Sequence, residues 1–197
     1  MARRLVILAI AAWSGYYVMA VELLSGRILA PSFGNSIYVW GGIITVFMLA
    51  LSVGYLLGGQ LSLYTPTLRR LGLVMIAAAV AALPVVLVGE GVLDWIFDNV
   101  RDPRYASLLA SAALFFVPTA ICGMVSPYAV RLVATSVQST GRSAGFLYFI
   151  STFGSAAGTI LTSFYMVLWF EVNQIFVAMI VVSLLFGLAA QPFRDAR

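Results

Sequence analysis

The sequence lacks histidine and lysine altogether and contains a single cysteine, Cys122. Without histidine, the chain has no imidazole general base and no copy of the commonest transition-metal ligand. One cysteine forms no disulfide within the chain and excludes cysteine-rich metal and redox sites. Phosphate-binding GxxxxGK[ST] loops, glycine-rich nucleotide fingerprints and GxSxG motifs are also missing. We therefore expect no cofactor and no bound metal, and an enzyme is the least favoured class of function.

Charge is scarce as well, since only 9% of the 197 residues are charged and 62% are hydrophobic. So few ionisable groups do not cover the surface of a water-soluble globule of this size. The mean hydropathy of +1.04 is sustained along the whole chain. Most of the chain must therefore lie in lipid, which predicts a polytopic membrane protein whose main surroundings are the bilayer.

Six apolar runs are long enough to form membrane-spanning helices, each of which needs about 20 residues. The first run is too long for the core of a cleaved signal peptide, so we expect it to remain as a span. The fifth is longer than a membrane requires, which predicts a tilt, a kink or a start outside the hydrocarbon. The sequence predicts an all-α six-helix bundle forming one domain over residues 1–197. The predicted spans cover residues 5–24, 37–57, 71–88, 105–125, 143–170 and 172–190.

Arginine supplies all 11 positive charges and indicates the orientation of the spans. Short cytoplasmic loops are enriched in positive charge, and an inside N-terminus places eight arginines in the cytoplasm and three outside. We therefore expect both termini in the cytoplasm, and we ascribe the net charge of +4 to topology and not to a nucleic-acid partner. The predicted cytoplasmic set is Arg3, Arg4, Arg69, Arg70, Arg131, Arg142, Arg194 and Arg197, and the outer set is Arg27, Arg101 and Arg104.

Residues 90–104 have a helical pattern of their own between the third and fourth spans. At about 100° per residue, four charged residues share one face and apolar residues share the other. We expect a short helix along the outer interface, with Trp95 at headgroup level and Pro103 ending the helix. A loop packed over the bundle is the alternative. The charged residues of this face are Glu90, Asp94, Asp98 and Arg101.

Glu22 lies near the outer end of the first predicted span, where a carboxylate is costly and has either a functional or a packing role. Arg27 is a lone arginine in the first outer loop, and its candidate partners are Glu22 and Glu171. Five helical residues separate side chains by about 140°, so Arg27 must fold back past a helix end near Ser25-Gly26, or Glu22 must pair with another span. Both an ion pair and a substrate or proton site stay open.

The segment 27–36 separates the first two spans and contains the helix breakers Pro31 and Gly34. We expect this segment to form a structured re-entry loop. Asn35, at its end, joins Glu22, Arg27 and Glu171 as the candidate polar site.

Two glycine pairs at four-residue spacing are placed for close helix contact: Gly54 with Gly58, and Gly154 with Gly158. Packing within the chain is the favoured interpretation, and homodimerisation or a moving transporter interface are the alternatives. Four arginines form a basic rim on the cytoplasmic side. Topology and attraction to anionic lipid are the favoured explanation for this rim. The alternative is that the rim binds an acidic cytosolic partner. The rim comprises Arg69, Arg70, Arg131 and Arg142.

Several stretches resemble the membrane region of the spermidine-synthase-like family, often described as fused major-facilitator/spermidine synthase proteins. The matching stretches are residues 22–36 continuing through Trp40 to 54–59, then 123–131, 141–148 and 151–159. The resemblance implies a bundle like half of a major-facilitator transporter, in the bacterial cytoplasmic (inner) membrane. Many relatives append a cytosolic aminopropyltransferase-like domain. This sequence has no glycine-rich cofactor loop or acidic diamine site, so the resemblance does not extend to aminopropyl transfer. The motif positions carried over are Glu22, Arg27, Pro31, Gly34, Arg131, Gly141, Gly154 and Gly158.

Two functions remain after these exclusions. The first is a transporter-like module that acts as a homodimer or beside a separate cytosolic synthase-like partner. A cationic solute such as a polyamine would bind a carboxylate and aromatic walls, which Glu22, Tyr16, Tyr17 and Trp40 supply. The second is a non-catalytic accessory or structural subunit of a larger membrane complex. The sequence does not separate them.

Overall fold

The computed structural model describes residues 2–134 and 137–193, and these residues contain helices and no β-strand. A π-helical turn, Thr162–Met166, joins the sixth helix to the seventh. The helices are α1 (Ala2–Phe33), α2 (Ile37–Leu61), α3 (Leu68–Asn99), α4 (Pro103–Gly123), α5 (Val125–Val133), α6 (Val137–Leu161), α7 (Val167–Trp169) and α8 (Val172–Ala189).

Six helical stretches in the described part of the chain are long and apolar enough to cross a membrane. The helices α1, α2, α3 and α8 are each one such span. The fourth span combines α4 and α5 as Pro103–Val133, and the fifth runs from Gly141 through the π-helical turn to Trp169. The prediction of an all-α six-span bundle is confirmed. Arg194 and Arg197, which we predicted on the cytoplasmic side, lie outside the described residues.

The expected re-entry loop at 27–36 is wrong, because α1 continues as a helix to Phe33. Pro31 lies inside the helix, and the chain leaves it at Gly34, whose φ of 77° is the left-handed conformation that suits glycine. The Gly34 N–H donates to the Ala30 carbonyl at 2.9 Å, which closes the helix end. The proline therefore marks the last turn of the helix and not the start of a loop.

The expected separate interfacial helix is also wrong, because residues 90–99 continue α3 without a break. The helical pattern is present: Leu93 and Ile96 are buried, and the charged face is exposed. Pro103 does not end this helix but occupies the first turn of α4, where a missing N–H costs nothing. A helix of 32 residues, as α3 is, has a length of about 48 Å and extends well beyond a hydrocarbon core of about 30 Å.

The first helix forms the centre of the bundle and contacts every other span. Aromatic rings fill the core between three of the surrounding helices: Phe115 of α4 lies 6.1 Å from Phe47 of α2 and 6.4 Å from Phe176 of α8, between ring centroids. Packing at these separations is typical of aromatic pairs in cores. The fifth span is the most peripheral and buries the smallest share of its residues.

Two helix crossings bring backbones into direct contact through glycine. In the α1–α6 crossing, a Cβ atom at Gly15 would overlap the Ser151 carbonyl, and a Cβ at Gly154 would overlap the Ala12 carbonyl. A Cβ at Gly158 would lie 2.5 Å from the Tyr16 carbonyl oxygen. Small residues at such positions let helices approach closely where lipid supplies no hydrophobic drive.

The α2–α4 crossing has the same arrangement. A Cβ at Gly54 would overlap the Ala120 carbonyl, a Cβ at Gly58 would overlap the Met124 carbonyl, and a Cβ at Gly123 would lie 3.3 Å from the Leu51 carbonyl oxygen. Each contact of the first crossing therefore has a counterpart in the second. A position in α1 corresponds to the position 108 residues later in α4, as Gly15 does to Gly123. A position in α2 corresponds to the position 100 residues later in α6, as Gly54 does to Gly154.

The third close pair is formed by α3 and α8 and is reciprocal. A Cβ at Gly72 would lie 2.6 Å from the Gly187 carbonyl oxygen, and a Cβ at Gly187 would lie 2.8 Å from the Gly72 carbonyl oxygen. Spans one to three thus correspond to spans four to six. Span one corresponds to span four, span two to span five, and span three to span six. The chain passes through the membrane three times between corresponding spans, so these spans run in opposite directions. The bundle is therefore built from two inverted three-helix repeats.

Candidate functional site at the acidic end

A recess of about 410 Å³ lies at the end of the bundle where α1 finishes, α3 extends and α8 begins. Two carboxylates of α3, the carboxylate of Glu171 just before α8 and one guanidinium group line it, and we call this end of the bundle the acidic end. Three carboxylates against one arginine give the recess a negative charge, which attracts cations. Its polar lining consists of Arg27, Ser32, Glu90, Asp94, Glu171 and Asn173.

Arg27 does not pair with Glu22 or Glu171 in the described residues. Its Nη1 atom donates a hydrogen bond to the Val167 carbonyl oxygen at 3.3 Å, close to the end of the fifth span. A positive charge beside the last carbonyl groups of a helix is stabilised by those carbonyls. The candidate ion pair with Glu22 does not form, because α1 remains helical past Gly26 and keeps the two side chains on different faces.

Glu171 is exposed and precedes the first turn of α8. Its backbone N–H donates to Gln174 Oε1 at 3.1 Å, so this segment forms the start of the last span. The side chain of Glu171 lies in the recess wall near Arg27. The structure therefore brings together two of the four residues that the sequence indicated as a polar site.

Asn35 lies in a neighbouring recess of about 650 Å³, which shares Arg27 and Pro31 with the first. Its Oδ1 atom accepts a hydrogen bond from Trp40 Nε1 at 2.8 Å. The indole ring of Trp40 lies directly over Gly26, where a Cβ would lie 2.7 Å from the ring atom Cη2. Asn35 therefore holds an aromatic ring against α1.

Glu22 lies apart from both recesses. Because α1 continues to Phe33, about 16 Å of helix separates Glu22 from that helix end, so the carboxylate is deeper in the span than the sequence predicted. The side chain is half-buried, and its carboxylate forms no hydrogen bond or ion pair with any residue in the segments 2–134 and 137–193. Glu22 follows Gly15 by two helical turns and thus lies on the α1 face that meets α6.

Two of the three aromatic residues proposed as walls for a cation are occupied elsewhere. Tyr16 is stacked on Trp13 at 5.0 Å between ring centroids, and its hydroxyl contacts Met166 Sδ at 3.2 Å. Tyr17 is buried, with 1% of its surface exposed. Trp40 is different, because its ring covers Gly26, one helical turn beyond Glu22 on the same side of α1.

The opposite end of the bundle, which we call the basic end, carries the four arginines of the predicted rim. Arg69 Nε donates to Gln191 Oε1 at 3.2 Å and joins the start of α3 to the residues after α8. Arg70 Nη1 donates to the carbonyls of Tyr64 and Thr65 in the α2–α3 loop. These two arginines fasten helix ends, whereas Arg131 and Arg142 are exposed on α5 and α6.

Asp102, between α3 and α4, is a further carboxylate near the acidic end. It accepts a hydrogen bond from the Arg104 backbone N–H at 3.0 Å, and its Oδ2 lies 2.7 Å from Arg104 Nη2. The side-chain hydrogen bonds from Arg104, followed by this backbone hydrogen bond, lower the pKa of Asp102 below its ordinary value. This carboxylate starts α4 and does not line the acidic recess.

Sequence analysis missed the role of Glu90 and Asp94 in the recess wall. Their four-residue spacing on the α3 extension was visible, but we assigned that face to an interfacial helix in contact with water. Glu90 and Asp94 line the recess because α3 is continuous through residue 99, and its extension lies beside the end of α1 and the start of α8.

No protein-family model, no curated protein and no solved structure matches this chain. The resemblance to the spermidine-synthase-like membrane family stays a prediction from sequence motifs.

Proposed function

We propose that this chain is a transporter-like membrane module that binds a cationic solute at Glu22 and works together with a second bundle. The observation that supports this proposal best is the unpartnered, half-buried carboxylate of Glu22 inside the first span. An ionisable side chain at such a position is costly, and in membrane proteins it typically marks a substrate, ion or proton pathway.

The surroundings of Glu22 favour a cation over an anion. The ring of Trp40 on α2 covers Gly26, which lies one turn beyond Glu22 on α1, and aromatic faces attract cations. The acidic recess, with three carboxylates and one guanidinium, would concentrate cations at that end of the bundle. A polyamine, which carries several positive charges on an aliphatic chain, fits this combination of carboxylates and apolar surface.

The inverted three-helix repeats support a transporter-like architecture. Such repeats are common in secondary transporters, where two halves move against each other around a site near the middle of the membrane. A single six-span bundle provides one half of such a site. The proposal therefore includes a second bundle, with the basic end in the cytoplasm of a bacterial inner membrane and a separate cytosolic synthase-like protein as an additional partner.

Uptake of radiolabelled spermidine into proteoliposomes tests this function. We expect Glu22→Gln to lower uptake at least tenfold, because the substitution removes the charge and keeps the shape of the side chain. Asp98→Asn is the matched control, since it neutralises an exposed carboxylate of α3 that does not line the acidic recess, and it should retain most of the uptake. Full uptake by the Glu22→Gln variant would remove Glu22 from the mechanism, and no uptake by the unmodified protein would contradict transport of this solute.

A second candidate function is that of an accessory subunit in a larger membrane complex. The favouring observation is the exposed surface of the fifth span, where Phe146, Phe149 and Phe153 form a ladder with ring centroids 6.5 and 6.2 Å apart. Purification from the native membrane separates the two functions. Stoichiometric co-purification of other membrane subunits would favour the accessory role, and a free homo-oligomer would favour transport.

A further inference from the structure

One side of α2 is exposed and consists mainly of small and polar residues, although α2 contains no charged residue between Ile37 and Leu61. A Cβ at Gly41 would meet nothing within 4 Å, and the Ser52 hydroxyl reaches only the Met48 carbonyl of its own helix, at 2.8 Å. The residues recur every three or four positions and therefore form one stripe along the helix. The stripe contains Gly41, Thr45, Met48, Ser52, Tyr55 and Gly59.

The fifth span carries the corresponding stripe, shifted by the same 100 positions that relate the two glycine crossings. Its first four members are exposed and the last two are half-buried. No charged residue lies between Arg142 and Glu171 on this span. The second stripe contains Gly141, Gly145, Tyr148, Thr152, Ser155 and Thr159.

The two stripes belong to one surface of the bundle, which we call the open face. In each helix the stripe lies about 100° around the axis from the glycine crossing, since Gly59 follows Gly58 and Thr159 follows Gly158. The α2 helix packs on α4 and the α6 helix packs on α1, so the two helices flank the α1–α4 pair.

The Cys122 thiol donates to the Ser14 carbonyl oxygen at 3.7 Å, so these two residues of α4 and α1 lie at one depth. The neighbouring Gly15 meets the Ser151 carbonyl, and the neighbouring Gly123 meets the Leu51 carbonyl. Ser52 and Thr152 therefore lie at about the same depth.

Lipid does not explain the composition of the open face. Hydrocarbon packs well against leucine, as at the exposed Leu49 and Leu56 on the neighbouring side of α2. Glycine and hydroxyl residues are instead enriched where one membrane helix packs against another. The glycine-rich surfaces at the α1–α6, α2–α4 and α3–α8 pairs, in contrast, are each already covered by a helix.

The area and charge of the open face suit a second copy of this chain. Each stripe is about 27 Å long on a helix about 10 Å wide, and each copy carries two stripes. A dimer would therefore bury roughly 1,100 Å² of total surface. This area exceeds the roughly 1,000 Å² that a specific interface needs. The face is neutral, so two copies meet without repulsion. A two-fold rotation about the membrane normal places α2 of one copy against α6 of the other, in antiparallel directions.

We propose that the open face is a homodimer interface, in which α2 of each protomer packs against α6 of its partner through their glycine and hydroxyl residues. The dimer supplies the second bundle that the proposed function requires, and in this respect the inference rests on that function. The dimer itself is measured without any solute, so the two proposals fail separately.

Single-molecule photobleaching of labelled protein in liposomes, over a series of protein-to-lipid ratios, measures dimerisation directly. The test variant is Ser52→Leu with Thr152→Leu, which fills both stripes with side chains that lipid accepts. The matched control is Val53→Leu with Phe153→Leu, which changes the next residue of each helix. We expect the unmodified protein and the control to dimerise, and the test variant to dimerise at least tenfold more weakly.

Cysteine cross-linking tests the geometry of the dimer in a Cys122→Ser background. One chain carries Ser52→Cys and a second, differently tagged chain carries Thr152→Cys, so that only a contact between copies forms the disulfide. We expect a covalent dimer from this pair and little from Val53→Cys with Phe153→Cys. Monomers at every protein density, a dimer that persists in the leucine variant, or selective capture of a different membrane protein would each overturn the proposal. A dimer that persists in the Glu22→Gln variant while uptake is lost would leave both proposals standing.

Discussion

Gly154 and Gly145 lie on the same helix and meet opposite surroundings. A Cβ at Gly154 would overlap the main chain of α1, whereas a Cβ at Gly145 would meet nothing within 4 Å. The first glycine is therefore required by packing within the chain, and the second is not. The same contrast separates Gly58 from its neighbour Gly59 on α2. Glycine spacing in a membrane helix thus identifies a close contact only when the facing surface is known.

The largest expected effect on stability comes from placing leucine at the covered glycine, Gly154, and comparing it with leucine at the uncovered glycine, Gly145. Gly154→Leu forces α1 away from α6, and we expect it to lower the free energy of unfolding by at least about 3 kcal/mol. Gly145→Leu should change it by less than about 1 kcal/mol, because the added side chain enters free space. Unfolding in mixed detergent micelles, at a dilution where the protein is monomeric, measures both. Equal losses for the two variants would contradict the packing difference.

A second test asks whether the two crossings are equivalent in energy as well as in geometry. Gly58→Ala and Gly158→Ala each add one methyl group against a carbonyl of the facing helix, and we expect each to cost about 1 to 3 kcal/mol. The two losses should agree within about 1 kcal/mol, since the contacts are related by the internal repeat.

The control for this pair is Gly59→Ala, one residue along α2, where no atom lies within 4 Å of the added Cβ. It should leave the unfolding midpoint unchanged or slightly raised. If Gly58→Ala lowers the free energy of unfolding and Gly158→Ala does not, the two crossings are alike in geometry but not in energy. The α2–α4 crossing would then contribute most of the stability.

The number and type of spans were predictable, because long apolar runs leave few alternatives to helices in lipid. The partner of each glycine pair was not, since Gly54 with Gly58 and Gly154 with Gly158 show the same spacing and face different helices. Helix ends were the weakest part. Pro31 was interpreted as a breaker, but a helix tolerates proline near its last turn when neighbouring helices pack against it.

The candidate site was predictable only in part. Arg27 and Glu171 stood out as charges next to spans, and the structure brings them into one recess. The true hydrogen-bond partner of Arg27 is the main-chain carbonyl of Val167, which no side-chain pattern reveals. Glu90 and Asp94 reach the same recess because α3 continues past the membrane core, and sequence periodicity does not distinguish a continuous helix from an interrupted one.

The smallest effect, and the one with the opposite sign, is expected on the open face. Gly41→Ala and Gly141→Ala each replace a glycine with free space around its Cβ position, and alanine is the better helix former by about 0.5 to 1 kcal/mol. We expect a slight rise in the unfolding midpoint of the monomer, measured at high dilution in detergent so that dimerisation does not contribute. A fall in the midpoint would mean that these glycines already pack against part of their own chain, and the distinction between covered and open glycines would then fail where the proposed interface depends on it.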